Sequence, residues 1–236
     1  MKLYKNKQLQ ECACKRLILM TGTPQTFEEL VELDFPKECT NEFDEQYLKH
    51  LNALPAWRRE KALQYKKLDD RKRSVLAFVL LQHALREEYG ITEVPEFVYN
   101  EFGKPSLPNL PIHFSLSHCK DAVACAVSDH NIGIDVESIA PYNPDVAQRV
   151  CTTAELEILG QSENKDADFI KLWTIKEAIS KYEGMGLSLP FSGIVSNKYL
   201  VQSRLFGNCV LSMCYGLVND DIQLSESNQI NMLFRV

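Results

Sequence analysis

The chain has 236 residues, 45% of them hydrophobic and 25% charged, with a formal net charge of -6. That length suits one large domain or two small ones with their own cores, and the composition excludes a mainly disordered chain. The negative balance excludes a general affinity for nucleic acid, so an anionic ligand needs a local basic site.

No apolar stretch approaches the length that spans a bilayer, and Met1–Gln10 lacks the apolar core of a signal peptide. A cytoplasmic protein without membrane attachment is expected. The 8 cysteines are scattered, some within apolar runs such as Ala122–Val127. They read as small buried thiols, not as a disulfide framework. Cys12 and Cys14 form a close pair with no second pair to complete a zinc pattern.

Trp57–Tyr89 predicts a helix interrupted near Leu68-Asp69-Asp70. In its second part Val75, Phe78, Val79, Leu81, Leu85 and Tyr89 form a helical stripe, and Gly90 is a natural stop. A proline-rich loop follows, from Gly103-Lys104-Pro105 to Pro111. Ile112–Leu116 and Ala122–Val127 predict paired strands around a turn at Ser117–Asp121, and Ile132–Val136 predicts a third strand. Asn143-Pro144 opens a helix as cap and first turn. Thr152–Leu159 predicts a short helix and Phe169–Tyr182 a longer one. Leu172, Ile175, Ile179 and Tyr182 share a face of the latter, and Gly184 stops it. Cys209–Tyr215 and the last residues read as strands, although the stretch after Asp220 is weakly patterned. Helices mixed with antiparallel hairpins give an α+β class.

Three segments carry candidate chemistry. In Gly133-Ile-Asp-Val-Glu137, strand alternation puts Asp135 and Glu137 on one face and Ile134 and Val136 in the core. Such an acidic pair is either the outward side of a half-exposed strand or a cation site. In Trp173-Thr-Ile-Lys-Glu-Ala-Ile-Ser-Lys181, helical spacing stacks Trp173, Glu177 and Lys181. That is either a surface ion pair or, because of the aromatic, a packed or cleft-lining face. In His113-Phe-Ser-Leu-Ser-His118, Ser117 and His118 at a hairpin tip can bind an oxyanion or merely form a turn. Taken together, three carboxylates without His or Cys ligands suit magnesium or manganese, which sits between carboxylates and substrate phosphates. Lys176, Lys181, His118 and Lys104 then have phosphates to meet.

Gly-Lys-Pro at 103, Phe-Ser-Leu-Ser-His at 114, Gly-Ile-Asp-Val-Glu at 133 and the Trp173–Lys181 run, in that order, resemble the Sfp-type phosphopantetheinyl transferases. The likeness extends through Gly184–Pro190 and back to Arg58-Arg-Glu-Lys61. It implies a pseudo-dimer of two similar α+β halves, here residues 1–129 and 130–236, with coenzyme A in the cleft between them. It also implies Asp135, Glu137 and Glu177 as magnesium ligands, and Lys181 at the pyrophosphate. Lys104, Ser117 and His118 would meet coenzyme A phosphates. Arg58 and Lys61 would hold its 3′-phosphate end. Arg58 departs from the lysine often found there, keeping charge but changing geometry.

The implied reaction is attack by a serine hydroxyl of an apo acyl or peptidyl carrier protein on coenzyme A, with 3′,5′-ADP leaving. Glu177 and Lys181 would serve catalysis, and either Glu155 or a metal-bound water would take the serine proton. Thr152-Thr-Ala-Glu155 also has the form of a capping box, which explains Glu155 without catalysis. The chain is expected to act as a monomer. Two rival readings are a nucleic-acid binder using the basic run Arg58–Arg73 and a carrier-binding module that has lost catalysis.

Overall fold

The computed structural model describes residues 16–21, 30–34 and 41–217, and these form two compact units. One unit takes the described residues up to Val98 together with Ser106–Asp129; the other takes Tyr99–Pro105 together with the described residues from His130. Both mix helices and sheet, so the α+β class holds.

The first unit begins with β1 (Arg16–Thr21), β2 (Leu30–Asp34), α1 (Asn41–Ala53), α2 (Ala56–Leu63) and α3 (Leu68–Tyr89). A short ribbon follows in the chain where the division between the units falls, β3 (Val98–Tyr99) and β4 (Pro105–Ser106), and the hairpin β5 (His113–His118) and β6 (Ala122–Ser128) then completes the first unit. The sheet runs β2-β1-β6-β5, with β1 parallel to β6 and the other pairs antiparallel. Val75, Phe78, Leu81 and Leu85 of α3 are buried with Phe114, Val123, Cys125 and Val127, so the helical stripe is the core face. Every residue of β6 is buried, as befits an inner strand, which accounts for its run of Ala, Val and Cys in place of alternation. Gly90 closes α3 in the left-handed conformation, φ 67°. The interruption between α2 and α3 falls at residues 64–67, just ahead of the expected Leu68-Asp69-Asp70, which instead open α3.

The second unit holds β7 (Gly133–Ser138), α4 (Pro144–Val150), α5 (Thr153–Gln161), α6 (Lys165–Glu183), β8 (Tyr199–Phe206) and β9 (Cys209–Leu217). Its sheet is antiparallel in the order β7-β9-β8, and α6 packs along it. Leu172 packs with Leu159, Phe169 and Val210, while Ile175 and Ile179 pack with Cys214. Asn143 caps α4 by accepting from the Asp145 and Val146 N–H groups, and Gly184 ends α6 with φ 74°.

Six of these elements have no counterpart in the sequence reading: β1, β2, α1, β3, β4 and β8. One prediction is corrected. Ser117 and His118 pair with Ala124 and Val123, so they finish strand β5, and the turn is Cys119–Asp121. Among the described residues no helix is long and apolar enough to cross a membrane. The described cysteines, Cys119, Cys125, Cys151, Cys209 and Cys214, are buried free thiols. Cys12, Cys14 and the stretch after Asp220 lie outside the described residues.

Candidate active site

The second unit builds its acidic site from β7 and α6. Side chains at 133, 135 and 137 share one face of β7. A Cβ on Gly133 would stand 2.0 Å from the Ala178 carbonyl oxygen and 2.4 Å from the Tyr182 nitrogen. The glycine therefore permits an approach of α6 that no other residue allows. At that distance Lys181 Nζ donates to Asp135 Oδ1 at 2.7 Å. Asp135 is only 4% exposed, because α6 covers that face, so the half-exposed-strand alternative does not describe it. Glu177, half-buried on α6, has its pKa raised first by burial and then by the Asp135 charge, with Lys181 pulling it down.

A chain of hydroxyls lies beside this pair. Ser212 is opposite Asp135 across β7 and β9, and its Oγ is 2.7 Å from both Thr174 Oγ1 and Ser203 Oγ. Thr174 donates its proton to the Lys171 carbonyl at 3.0 Å. Ser212 must then donate to Thr174, and Ser203 to Ser212. The chain joins α6 to both strands under the site. Trp173 turns to the core, its ring edge-on to Phe191 at 5.6 Å between centroids.

Among the described residues no three His, Cys, Asp or Glu side chains converge into a ready metal cluster. The structure brings Asp135 and Glu177 within electrostatic reach, and Glu137 lies half-buried farther along the same face of β7. Two hard oxygen donors fit magnesium, which commonly takes one or two carboxylates and completes its shell with water and substrate phosphates.

Burial bears on two of the expected residues. Lys176 was expected at a phosphate, but its side chain is 0% exposed. Its ammonium is 2.7 Å from Glu155 Oε2 and donates to the Phe191 carbonyl at 2.9 Å. Glu155 completes the capping box: Thr152 Oγ1 accepts from the Glu155 N–H, and Glu155 Oε2 accepts from the Thr152 N–H at 2.7 Å. One carboxylate oxygen thus caps α5 and neutralises a buried lysine of α6. Geometry gives both residues a place in the fold of this unit.

The other expected residues are distributed as follows. Lys104, in the second unit, donates from Nζ to Asn131 Oδ1 at 2.6 Å and to the Tyr182 carbonyl at 3.0 Å. Arg58, Lys61, Ser117 and His118 belong to the first unit. Arg58 is 7% exposed and ties α2 to α3, donating to the Ser74 carbonyl at 2.7 Å and to Ser74 Oγ at 2.9 Å, with its guanidinium over the Phe78 ring. Lys61 is exposed on α2. The His118 ring stands edge-on to Tyr65 at 6.3 Å.

A cavity of about 930 Å³ opens elsewhere in the second unit, between the end of α5, the start of α6 and the β8–β9 hairpin. Its walls carry Glu163, Asp168, Lys171 and Arg204, a balanced set of charges, and none of the expected site residues.

A family model described as the 4′-phosphopantetheinyl transferase superfamily matches residues 131–200, which contain β7, α6 and the Asp135–Glu177–Lys181 group. The chain is 33% identical over 150 residues to 4′-phosphopantetheinyl transferase Sfp of Bacillus subtilis (strain 168), covering 62% of this chain and 67% of that one. A second Bacillus subtilis 4′-phosphopantetheinyl transferase is 36% identical over 143 residues, covering 58% of this chain and 63% of the relative. The transferase gsp of Aneurinibacillus migulanus is 30% identical over 181 residues, covering 75% and 76%. The chain thus spans roughly two thirds to three quarters of the length of these relatives.

Proposed function

The chain belongs to the Sfp-type 4′-phosphopantetheinyl transferases, an enzyme family, and on that premise we propose that it moves the phosphopantetheine arm of coenzyme A onto a serine hydroxyl of an apo carrier protein. The leaving group in this reading is 3′,5′-ADP, and the reaction depends on magnesium. The reading takes the two units as the similar halves of a pseudo-dimer, a monomer of the cytoplasm that holds coenzyme A in the cleft between its halves. The observation that carries it is the buried Asp135, neutralised by Lys181 and facing Glu177 on an α6 pressed against β7.

Asp135 and Glu177, with Glu137 on the same face of β7, are the residues that would hold magnesium. The ion, when bound, supplies positive charge to the pyrophosphate oxygens as negative charge develops on them. Lys181 is already placed beside Asp135, so its ammonium meets the same phosphates without a large search. Ser117 and His118 at the end of β5 are proposed contacts of the coenzyme A phosphates, and Lys61 of its 3′-phosphate. Glu155 is left as a positioning group for α5 and α6, because Thr152 and Lys176 already use its carboxylate.

The direct experiment is incubation with coenzyme A, magnesium and a panel of apo acyl and peptidyl carriers, reading the mass of each carrier. Gain of one phosphopantetheine on at least one carrier is expected. A panel that stays unmodified sinks the reading and leaves a carrier-binding module without catalysis.

A second expectation concerns Lys61. Lys61→Ala is expected to raise the KM for coenzyme A by about tenfold, the size of a lost exposed phosphate contact, and to change the KM for dephospho-coenzyme A little. Equal losses on both substrates would remove Lys61 from the 3′-phosphate. Arg58→Ala is a poorer probe, because Arg58 also joins α2 to α3.

A further inference from the structure

The last turn of α6 is gripped from outside the helix. A helix leaves its final carbonyls without intrahelical donors. Here the Tyr182 carbonyl accepts from Lys104 Nζ at 3.0 Å and from Asn131 Nδ2 at 2.7 Å, and Lys104 Nζ also donates to Asn131 Oδ1 at 2.6 Å. Those three groups form a closed triangle. The Gly184 carbonyl accepts from Asn100 Nδ2 at 2.8 Å. Asn100 Oδ1 in turn accepts from the Phe102 and Lys104 N–H groups, which shapes the tight turn that aims Lys104. A Cβ on Gly184 would come 2.9 Å from Lys104 Cδ and 3.0 Å from Asn100 Nδ2, so the lysine stem lies against the helix stop. An ammonium suits the negative end of the helix dipole. Burial lowers the Lys104 pKa to about 8, as expected for a side chain withdrawn from solvent.

This grip sits beside the chemistry. Lys181 precedes Tyr182 in the gripped turn, and Glu177 lies about one turn earlier. Asn131 stands two residues before Gly133, where β7 lies against the α6 backbone. The 131–182 and 135–181 links therefore tie β7 and the residues leading into it to the same helix at successive points. We propose that Lys104 and Asn131 are positioning residues of the transfer site: they hold the last turn of α6 in register with β7, so that Lys181 and Glu177 face Asp135 before substrate arrives. In this role Lys104 acts through the Tyr182 carbonyl and does not touch coenzyme A. The inference rests on the proposed transferase reading for its kinetic consequence, but the grip itself can be tested without turnover.

The test compares the full-length chain with Lys104→Met, which keeps the stem, with Asn131→Ala, and with the double variant. Each single change is expected to lower kcat by about tenfold or more, because a slightly misplaced group costs rate and not binding, with the KM for coenzyme A within about twofold of wild type. The double variant is expected to be no slower than the slower single one, since both act on one carbonyl. In both single variants, backbone hydrogen exchange at 181–184 is expected to quicken while β9 stays protected. A KM for coenzyme A that rises tenfold in Lys104→Met alone, with Asn131→Ala silent, would make Lys104 a substrate contact and overturn the proposal. Additive losses would overturn it too. If the wild type modifies no carrier, the transferase reading fails and the exchange arm decides alone: unchanged protection at 181–184 in both variants removes the grip.

Discussion

Glu177→Gln is expected to lower carrier modification by about two orders of magnitude or more, the scale of losing one preorganised group that stabilises charge in a transition state. The amide keeps the shape of the side chain and removes its charge. Folding is expected to survive. The Glu177 carboxylate is disfavoured by burial and by the neighbouring Asp135, as its raised pKa records, so the neutral amide relieves repulsion. The melting temperature should hold or rise slightly. Titrating magnesium against coenzyme A binding adds an independent reading: the dependence on magnesium is expected to weaken in the variant. Turnover close to wild type would return Asp135 and Glu177 to an ordinary helix-on-strand contact.

Lys176→Met is expected to act on stability. The lysine side chain is 0% exposed and its Glu155 partner 10% exposed, so the pair is largely withdrawn from solvent. Breaking such a pair by removing one partner costs about 3–5 kcal/mol, because the other charge stays behind in the interior. In a chain of this size that lowers the melting temperature by something on the order of ten degrees. Methionine fills much of the lysine volume, so the loss reports charge more than packing. Adding Glu155→Gln is expected to recover most of the stability, since both charges then leave together and glutamine can still accept from the Thr152 N–H. Well below the melting temperature, the KM for coenzyme A is expected to be unchanged in both forms. A large rise in that KM with normal melting would instead make Lys176 the phosphate contact that its place in the motif suggests.

Local chemistry made much of the chain legible before any fold was known. The caps at Asn143 and Thr152, the stops at Gly90 and Gly184, the α3 stripe and the β5–β6 hairpin are all written within a few residues of where they act. Elements whose partners lie far along the chain were harder to read. β1 joins β6 as a parallel strand across about a hundred residues, and β8 is short of alternation because its residues are mostly half-buried. Read locally, Ser117 and His118 fall in the turn beyond the apolar run, yet pairing with β6 carries the strand through them.

The acidic site divides along the same line. Alternation in Gly-Ile-Asp-Val-Glu determined by itself that Asp135 and Glu137 share a face, and helical spacing determined that Glu177 and Lys181 do. Periodicity assigns a face but not what covers it. Only the tertiary structure decided that α6 lies on that strand face, that Gly133 is the residue allowing it, and that Asp135 is buried against Lys181 while Glu137 stays half-buried. The capping box at Thr152 was plain in four consecutive residues, whereas the lysine that neutralises its glutamate comes from another helix. Asn131 had no local signature, since its bond to the Tyr182 carbonyl spans 51 residues. Backbone geometry repeats over a few residues and is encoded there. The pairing of buried charges and helix ends is set by long-range packing, which brings together groups that the sequence keeps apart.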